Sequence, residues 1–342
     1  MKETTRNAIL NFMENKNTDT TNKLLILTGP TGVGKTRISI ALAKALNGEI
    51  ISADSVAVYR GLDIGSAKIK ESETQGIAHY LIDVLDPKEP FNVTIFQTLA
   101  GEAMRKIWAK GKLPIIVGGT GFYIQALRRG VEFAEEEENP EIRKRLEEDA
   151  QTLGKEAFHA RLLPIDPASY ERIPAGNVKR VIRALEFYEM HGYPISEHND
   201  REKLKASVYD DLCIVLTDKR EKLYDNINRR VDEMVEEGLV DEIRSLMEQG
   251  LNDSHISMQG IGYKEIYAAL CGEYSIEEGV EKVKLNTRHF AKRQLTYFKG
   301  MDDVIWFDKS EYENPDEEIA NEIVKLTCSI TDSKMKTVCN NE

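Results

Sequence analysis

The 342-residue chain is hydrophobic at 41% of positions and charged at 30%, which is ordinary globular usage and excludes a collagen-like or wholly disordered polymer. Its 46 basic and 58 acidic residues leave a net charge of −12, the wrong sign for gripping nucleic acid over the whole surface, although local basic patches stay open. No run approaches the roughly 18 apolar residues of a membrane span, residues 1–23 lack an apolar signal core, and four scattered cysteines (Cys213, Cys271, Cys328, Cys339) without a CxxC pair point to a reducing compartment and away from a zinc knuckle.

In chain order, apolar runs that read as buried strands recur at residues 24–28, 49–53, 80–84, 114–117, 212–216 and 304–307, with helical patterns between them. That alternation predicts parallel βαβ units, hence an α/β fold. The rhythm breaks between about residues 131 and 205. This stretch opens with the acidic run 135–138, continues with amphipathic pieces at 140–150 and 177–190, and holds no convincing strand. It is expected to be an inserted helical domain, leaving 1–130 and 206–330 as a discontinuous core. Residues after Thr327 are polar and weakly periodic, so 331–342 is expected to be a flexible tail.

Gly29, Pro30, Thr31, Gly32, Val33, Gly34, Lys35 and Thr36 match GxxxxGK[ST] directly after the strand LLILT and directly before the helical pattern RISIALAKAL. Glycines turn backbone N–H groups inward, the helix N-terminus adds partial positive charge, Lys35 neutralises phosphate oxygens, and the Thr36 hydroxyl suits Mg²⁺. The loop specifies a polyphosphate without specifying ATP. Asp54 closes the next strand, at the end of a parallel sheet where ligands bind. Three roles stand open for it: Mg²⁺ ligand, general base on an acceptor, and helix N-cap.

Other clusters are weaker. VGGTGFY at 117–123 permits close backbone approach to a ligand, although Gly-rich βα turns are often only turns. Lys68 in DIGSAK is by default solvated, and His79 is by default a packed or surface residue. Gln259, Gly260, Ile261, Gly262, Tyr263 and Lys264 combine flexible backbone, an aromatic and a cation, which suits single-stranded RNA but also suits a helix-initiating turn. Lys179, Arg180 and Arg183 form a basic ridge within one helical turn, able to meet phosphates or to pair with acids. Between 282 and 300, Lys282, Lys284, Arg288, Lys292, Arg293 and Lys299 stand with no acid among them.

In this order, GPTGVGKT, ISADSVAVYRGLDIGSAK, HYLIDVLDP, PIIVGGTGFYIQAL, NVKRVIRALEF, QGIGYKE and TRHFAKRQLTYFKG resemble the motifs of tRNA dimethylallyltransferases, also called tRNA isopentenyltransferases, over about residues 23–307. The resemblance implies a P-loop NTPase-like parallel sheet flanked by helices. It implies transfer of a dimethylallyl group from dimethylallyl diphosphate to N6 of the adenosine beside the anticodon of tRNA, with release of diphosphate and with Mg²⁺ as cofactor. It also implies that Asp54 is the general base, that residues 29–36 hold the donor diphosphate with Thr36 on the metal, that Thr120 lies beside the catalytic centre, and that Arg230 meets the diphosphate, with Arg229 as a neighbouring candidate. Asp54, Ser55, Val56 and Ala57, then Lys179, Arg180, Val181, Ile182 and Arg183, then residues 259–264, would contact the anticodon stem-loop. A bacterial-type, cytoplasmic, monomeric enzyme with no membrane association is the matching expectation. The sequence departs from the family at Gly32, usually Ala, and at Val56-Ala57, usually Met-Gln or similar. Two other enzymes share parts of this pattern: an isopentenyltransferase acting on free adenine nucleotide, and a P-loop kinase of a small metabolite. An RNA-binding module with a merely structural P-loop is a third, non-enzymatic reading.

Overall fold

The computed structural model describes residues 22–131 and 139–338, with side chains up to residue 327. The acidic run 135–138, the N-terminal residues 1–21 and the last four residues with Cys339 lie outside it, as does the side chain of Cys328. The chain divides into two compact units. One unit takes the residues up to Leu127 and from Tyr209 onward, and the other takes Arg128–Val208.

The first unit is built on a six-stranded sheet with the order β3-β2-β4-β1-β5-β6, from β1 (Lys23–Thr28), β2 (Gly48–Ser52), β3 (His79–Tyr80), β4 (Leu113–Gly118), β5 (Asp210–Thr217) and β6 (Val304–Asp308). Every pairing is parallel. The strands are apolar on both faces because both faces are covered, and the alternation along each strand sorts its residues between two cores. Leu25, Leu27, Ile115, Ile214 and Leu216 point to one side. There they meet α1 (Lys35–Ala45) through Ile38 and Leu42, and α13 (Pro315–Val338) through Ile319 and Ile323. Leu24, Ile26, Ile51, Ile116 and Val215 point to the other side. That face is closed by α2 (Val93–Ala109) and by α10 (Leu239–Glu248), α11 (Tyr263–Leu270) and α12 (Ile276–Lys299). Helix starts are fixed by side chains that take otherwise unpaired N–H groups: Asn92 Oδ1 accepts from Ile95 N at 3.0 Å and Ser275 Oγ from Glu278 N at 3.2 Å.

The expected strand at 80–84 is shorter than its apolar pattern suggests. Leu81 and Asp83 have φ of 62° and 56°, a left-handed conformation that ends an extended ladder. The main chain there bonds instead to the loop after β2, with Asp83 N and Val84 N donating to Ala57 O and Val58 O. Of the expected tail, residues 331–338 continue α13, which ends at Val338, and the remaining four lie outside the described residues.

The second unit contains α4 (Pro140–Leu153), α5 (Lys155–Ala160), α6 (Pro167–Arg172), α7 (Val178–His191) and α8 (Ile195–Leu204), with no strand among its described residues; α3 (Gly121–Arg129) leads into it. It has its own core of Leu146, Phe158, Leu162, Val181, Ile182 and Leu185. Buried Asp166 ties its helices together, its carboxylate accepting from Ser169 N, Ser196 N and Ser196 Oγ. Val208 N donates to Arg128 O at 2.8 Å, so the two ends of the inserted segment meet.

Candidate active site

The loops that leave the carboxyl ends of β1, β2 and β4 border a cleft of about 530 Å³ in the first unit. Carboxyl ends of parallel strands are where ligands bind in open α/β sheets. The remaining wall comes from α9 (Arg220–Glu236), from α12, from the loop around residues 65–69 and from residues 259–264.

The first loop, 29–36, turns from β1 into α1 through backbone conformations that favour glycine at Gly29, Gly32 and Gly34. Gly29 has φ of 148° and a Cβ there would lie 2.5 Å from Leu216 O, while Gly34 has φ of 86° at the cap of α1. Lys35 follows as the first helical residue. Its Nζ donates to Gly29 O and Pro30 O, both at 2.9 Å. Burial pushes the Lys35 ammonium down to about 7, the Arg230 charge adds to that shift, and the Asp54 carboxylate opposes it. A loop that makes its own lysine reluctant to stay charged is a site for an anion that restores the charge. Behind the loop, buried Lys309 donates to Val33 O at 3.0 Å and pairs with Asp316 at 2.5 Å.

The second loop carries Asp54. Its Oδ1 accepts from Val56 N at 2.8 Å and Ala57 N at 3.1 Å. The helix N-cap role is corrected to a turn, since no helix starts between β2 and residue 71, and one oxygen closes that turn while Oδ2 takes neither of these bonds. The third loop, 118–121, is pressed close to the second: a Cβ at Gly118 would lie 2.4 Å from Ala53 O. Thr120, on the cleft wall, belongs to this loop.

Arg230 and Arg229 are separated by the helix. Arg230 faces the cleft, with Nη2 donating to Ala67 O at 3.2 Å. Arg229 is exposed and bonds to Asn226 and Glu233 on its own helix. Lys68 is corrected from its solvated default: its side chain is 5% exposed and its ammonium holds Tyr59 O, Asp63 and Asp83 together. His79 lines the cleft with Nδ1 on Ile77 O, and burial pushes its imidazole down from the usual value.

The IPP transferase family model matches residues 57–301, and an isopentenyl transferase model matches residues 22–87. The chain belongs to the IPP transferase family. It is 54% identical to the tRNA dimethylallyltransferase of Lachnoclostridium phytofermentans over 89% of this chain and 96% of that one. It is 47% identical to the protein of the same name from Acetivibrio thermocellus over 87% and 95%. Among solved structures, the full-length tRNA isopentenylpyrophosphate transferase of Bacillus halodurans superposes with a TM-score of 0.69 at 42% identity, over 92% of this chain and 99% of that one. A eukaryotic dimethylallyltransferase acting on tRNA superposes at 0.74 and 28% identity, over 91% and 80%.

The IPP transferase motifs converge on the cleft only in part. Residues 54–57 and, apart from Tyr263, residues 259–264 border it together with the P-loop. Within them Ser55, Gln259 and Lys264 are exposed, whereas Ala57 is 6% exposed, which limits it to backbone contact. Tyr263 is corrected as a stacking platform. It is fully buried against Gly65, and its hydroxyl donates to Glu242 Oε1 at 2.8 Å. Val181 and Ile182 are corrected likewise, because both sit in the core of the helical unit; Lys179 and Arg180 are exposed, and Arg183 pairs with Glu186. The basic run on α12 is partly spent within the protein: Lys282 pairs with Glu278, Lys284 with Asp232 and Glu281, and Arg288 with Asn228. Lys292, Arg293 and Lys299 are exposed and make no ion pair among the described residues.

One site residue had no individual signal in the sequence. Gln294 is 6% exposed and bonds to both the P-loop and the third loop. It lay inside a matched motif, but only its distant partners give it a role.

Proposed function

We propose that the chain transfers a dimethylallyl group from dimethylallyl diphosphate to N6 of the adenosine beside the anticodon of tRNA. The observation that carries this is the pairing, in one cleft, of a phosphate loop with Lys35 and Arg230 and of a carboxylate, Asp54, whose Oδ1 is committed to the turn while Oδ2 is not.

An adenine amine is a weak nucleophile because its lone pair is delocalised into the ring. Asp54 Oδ2 accepts its proton as the N6–C bond forms. The allylic C–O bond breaks, and its electrons pass to the diphosphate oxygen. Loop N–H groups, Lys35 and Arg230 stabilise that charge more in the transition state than in the ground state. Mg²⁺ fits as a diphosphate-borne ion. No group of three His, Cys, Asp or Glu among the described residues forms a metal cage, and Mg²⁺ commonly binds substrate phosphates with one or two protein oxygens. The Thr36 hydroxyl would supply such an oxygen, and the ion would add charge neutralisation on the leaving group. The target base must leave its stack to reach the cleft, and Ser55, Gln259, Lys264 and Arg293 at the rim offer polar and cationic contacts to RNA.

The test is partition of label. With labelled dimethylallyl diphosphate, unmodified tRNA and AMP together, label is expected in tRNA. Label appearing in AMP would instead establish the free-nucleotide reading.

A further inference from the structure

Strands β1 and β4 are paired up to Thr28 and Gly118, and the ladder ends where the two functional loops begin. Beyond that point Gln294 bonds to both. Its Oε1 accepts the Thr31 N–H at 2.9 Å, and its Nε2 donates to Gly119 O at 2.9 Å. Thr31 belongs to the loop assigned to the donor diphosphate; Gly119 immediately precedes Thr120. The contact is close, since a Cβ at Gly119 would lie 2.2 Å from Gln294 Nε2. Gln294 is 6% exposed, while Thr31 and Gly119 are half-buried on the cleft wall, so loss of the amide removes one bond from each loop, and whatever part of those groups stays shielded from water carries a desolvation penalty.

A primary amide is suited to this place because it offers one acceptor and one donor at a fixed separation on a planar group. Methionine has neither, and an ionised carboxylate has only the acceptor. Thr31 N is also committed to Gln294, which leaves the phosphate cradle to the other amides of the loop. We infer that Gln294 is a positioning residue that fixes the spacing between the donor loop and the Thr120 loop, and through it the separation of the allylic carbon from the attacking amine. The inference rests on the transferase reading above. Near-attack geometry is demanding: a misplacement of about 1 Å can lower a rate on the order of 10²-fold.

The test uses the full chain with Gln294→Met and Gln294→Glu, assayed with tRNA and dimethylallyl diphosphate from pH 6 to pH 9, with thermal unfolding followed in parallel. For Gln294→Met, kcat is expected to fall roughly 10- to 100-fold while diphosphate affinity changes by less than about threefold. For Gln294→Glu, the rate relative to wild type is expected to climb as pH falls, because the protonated carboxyl regains a donor for Gly119 O; Gln294→Met shows no such recovery. A kcat within about twofold of wild type in a folded variant would overturn the assignment, as would a Gln294→Glu profile parallel to wild type. If one variant does not fold, the other decides. Failure of the wild-type chain to label tRNA would instead remove the transferase reading itself, and the inference with it.

Discussion

The Lys35 ammonium is held down to about 7 against the ordinary 10.5, so between these values the unfolded chain binds more protons than the folded one. The cost of keeping Lys35 charged is therefore present in full below pH 7, and stability at this site rises with pH up to about 10.5. An anion in the loop should reverse the shift. Diphosphate binding is expected to take up close to one proton at about pH 8.5 and almost none at pH 6. Calorimetry in buffers of different ionisation enthalpy, compared with Lys35→Met, measures this; equal uptake in both proteins would mean that Lys35 does not meet the diphosphate. The loop was readable in the sequence because its parts are contiguous and its chemistry is local. Gln294 was not, since Thr31 lies 263 residues away and only the fold makes them neighbours.

Elements were legible where a pattern had one cause. The strands at 24–28, 114–117 and 304–307 are apolar because they are buried on two faces, and they sit where the pattern placed them. The run at 80–84 is apolar for another reason: Leu81 packs into the core from a left-handed backbone, which periodicity does not register. Helix α7 mixes two causes in a single motif. Lys179 and Arg180 are exposed, and Val181 and Ile182 are core, although adjacent positions in NVKRVIR read as one RNA-contact block. The consequences separate on mutation. Lys179→Gln and Arg180→Gln are expected to reduce the slope of log affinity for tRNA against log salt by about 0.7–0.9 each, without changing thermal stability. Ile182→Ala is expected to cost about 2–5 kcal/mol of stability and leave the salt slope unchanged. An unchanged slope in the double charge variant would remove α7 from the RNA interface. Tyr263 teaches the same lesson: aromatic type next to glycine and lysine suggested stacking, and burial against Gly65 with a bond to Glu242 gives it a structural task instead.

At the scale of the molecule, the discontinuous plan follows from a chain that leaves its sheet after α3 and returns at β5. The helical unit has its own apolar core, and its ends are joined by the bond from Val208 N to Arg128 O. Replacing residues 132–206 with a short Gly-Ser linker is therefore expected to leave the sheet unit folded. Diphosphate should still bind within a few-fold of the full chain, because every residue bordering the cleft belongs to that unit. Calorimetric titration checks this; loss of diphosphate binding in a folded deletion protein would show that the sheet unit is incomplete without its insertion. Net charge works at the same scale. With −12 over the whole chain, attraction of RNA has to be local, and exposed Lys264, Lys292, Arg293 and Lys299 supply cations on the sheet unit.

The proposed transfer depends on the proton passing to Asp54 as diphosphate leaves toward Lys35. Single-turnover transfer to tRNA by Asp54→Asn, measured across a Mg²⁺ series, tests this most directly. Asparagine keeps an oxygen for Val56 N and Ala57 N, so the turn persists, while the proton acceptor is lost. The rate is predicted to fall roughly 10²- to 10⁴-fold at every Mg²⁺ concentration, with the Mg²⁺ midpoint unchanged. A rate near that of wild type, or recovery of the variant by excess Mg²⁺, would contradict the assignment of Asp54 as the base.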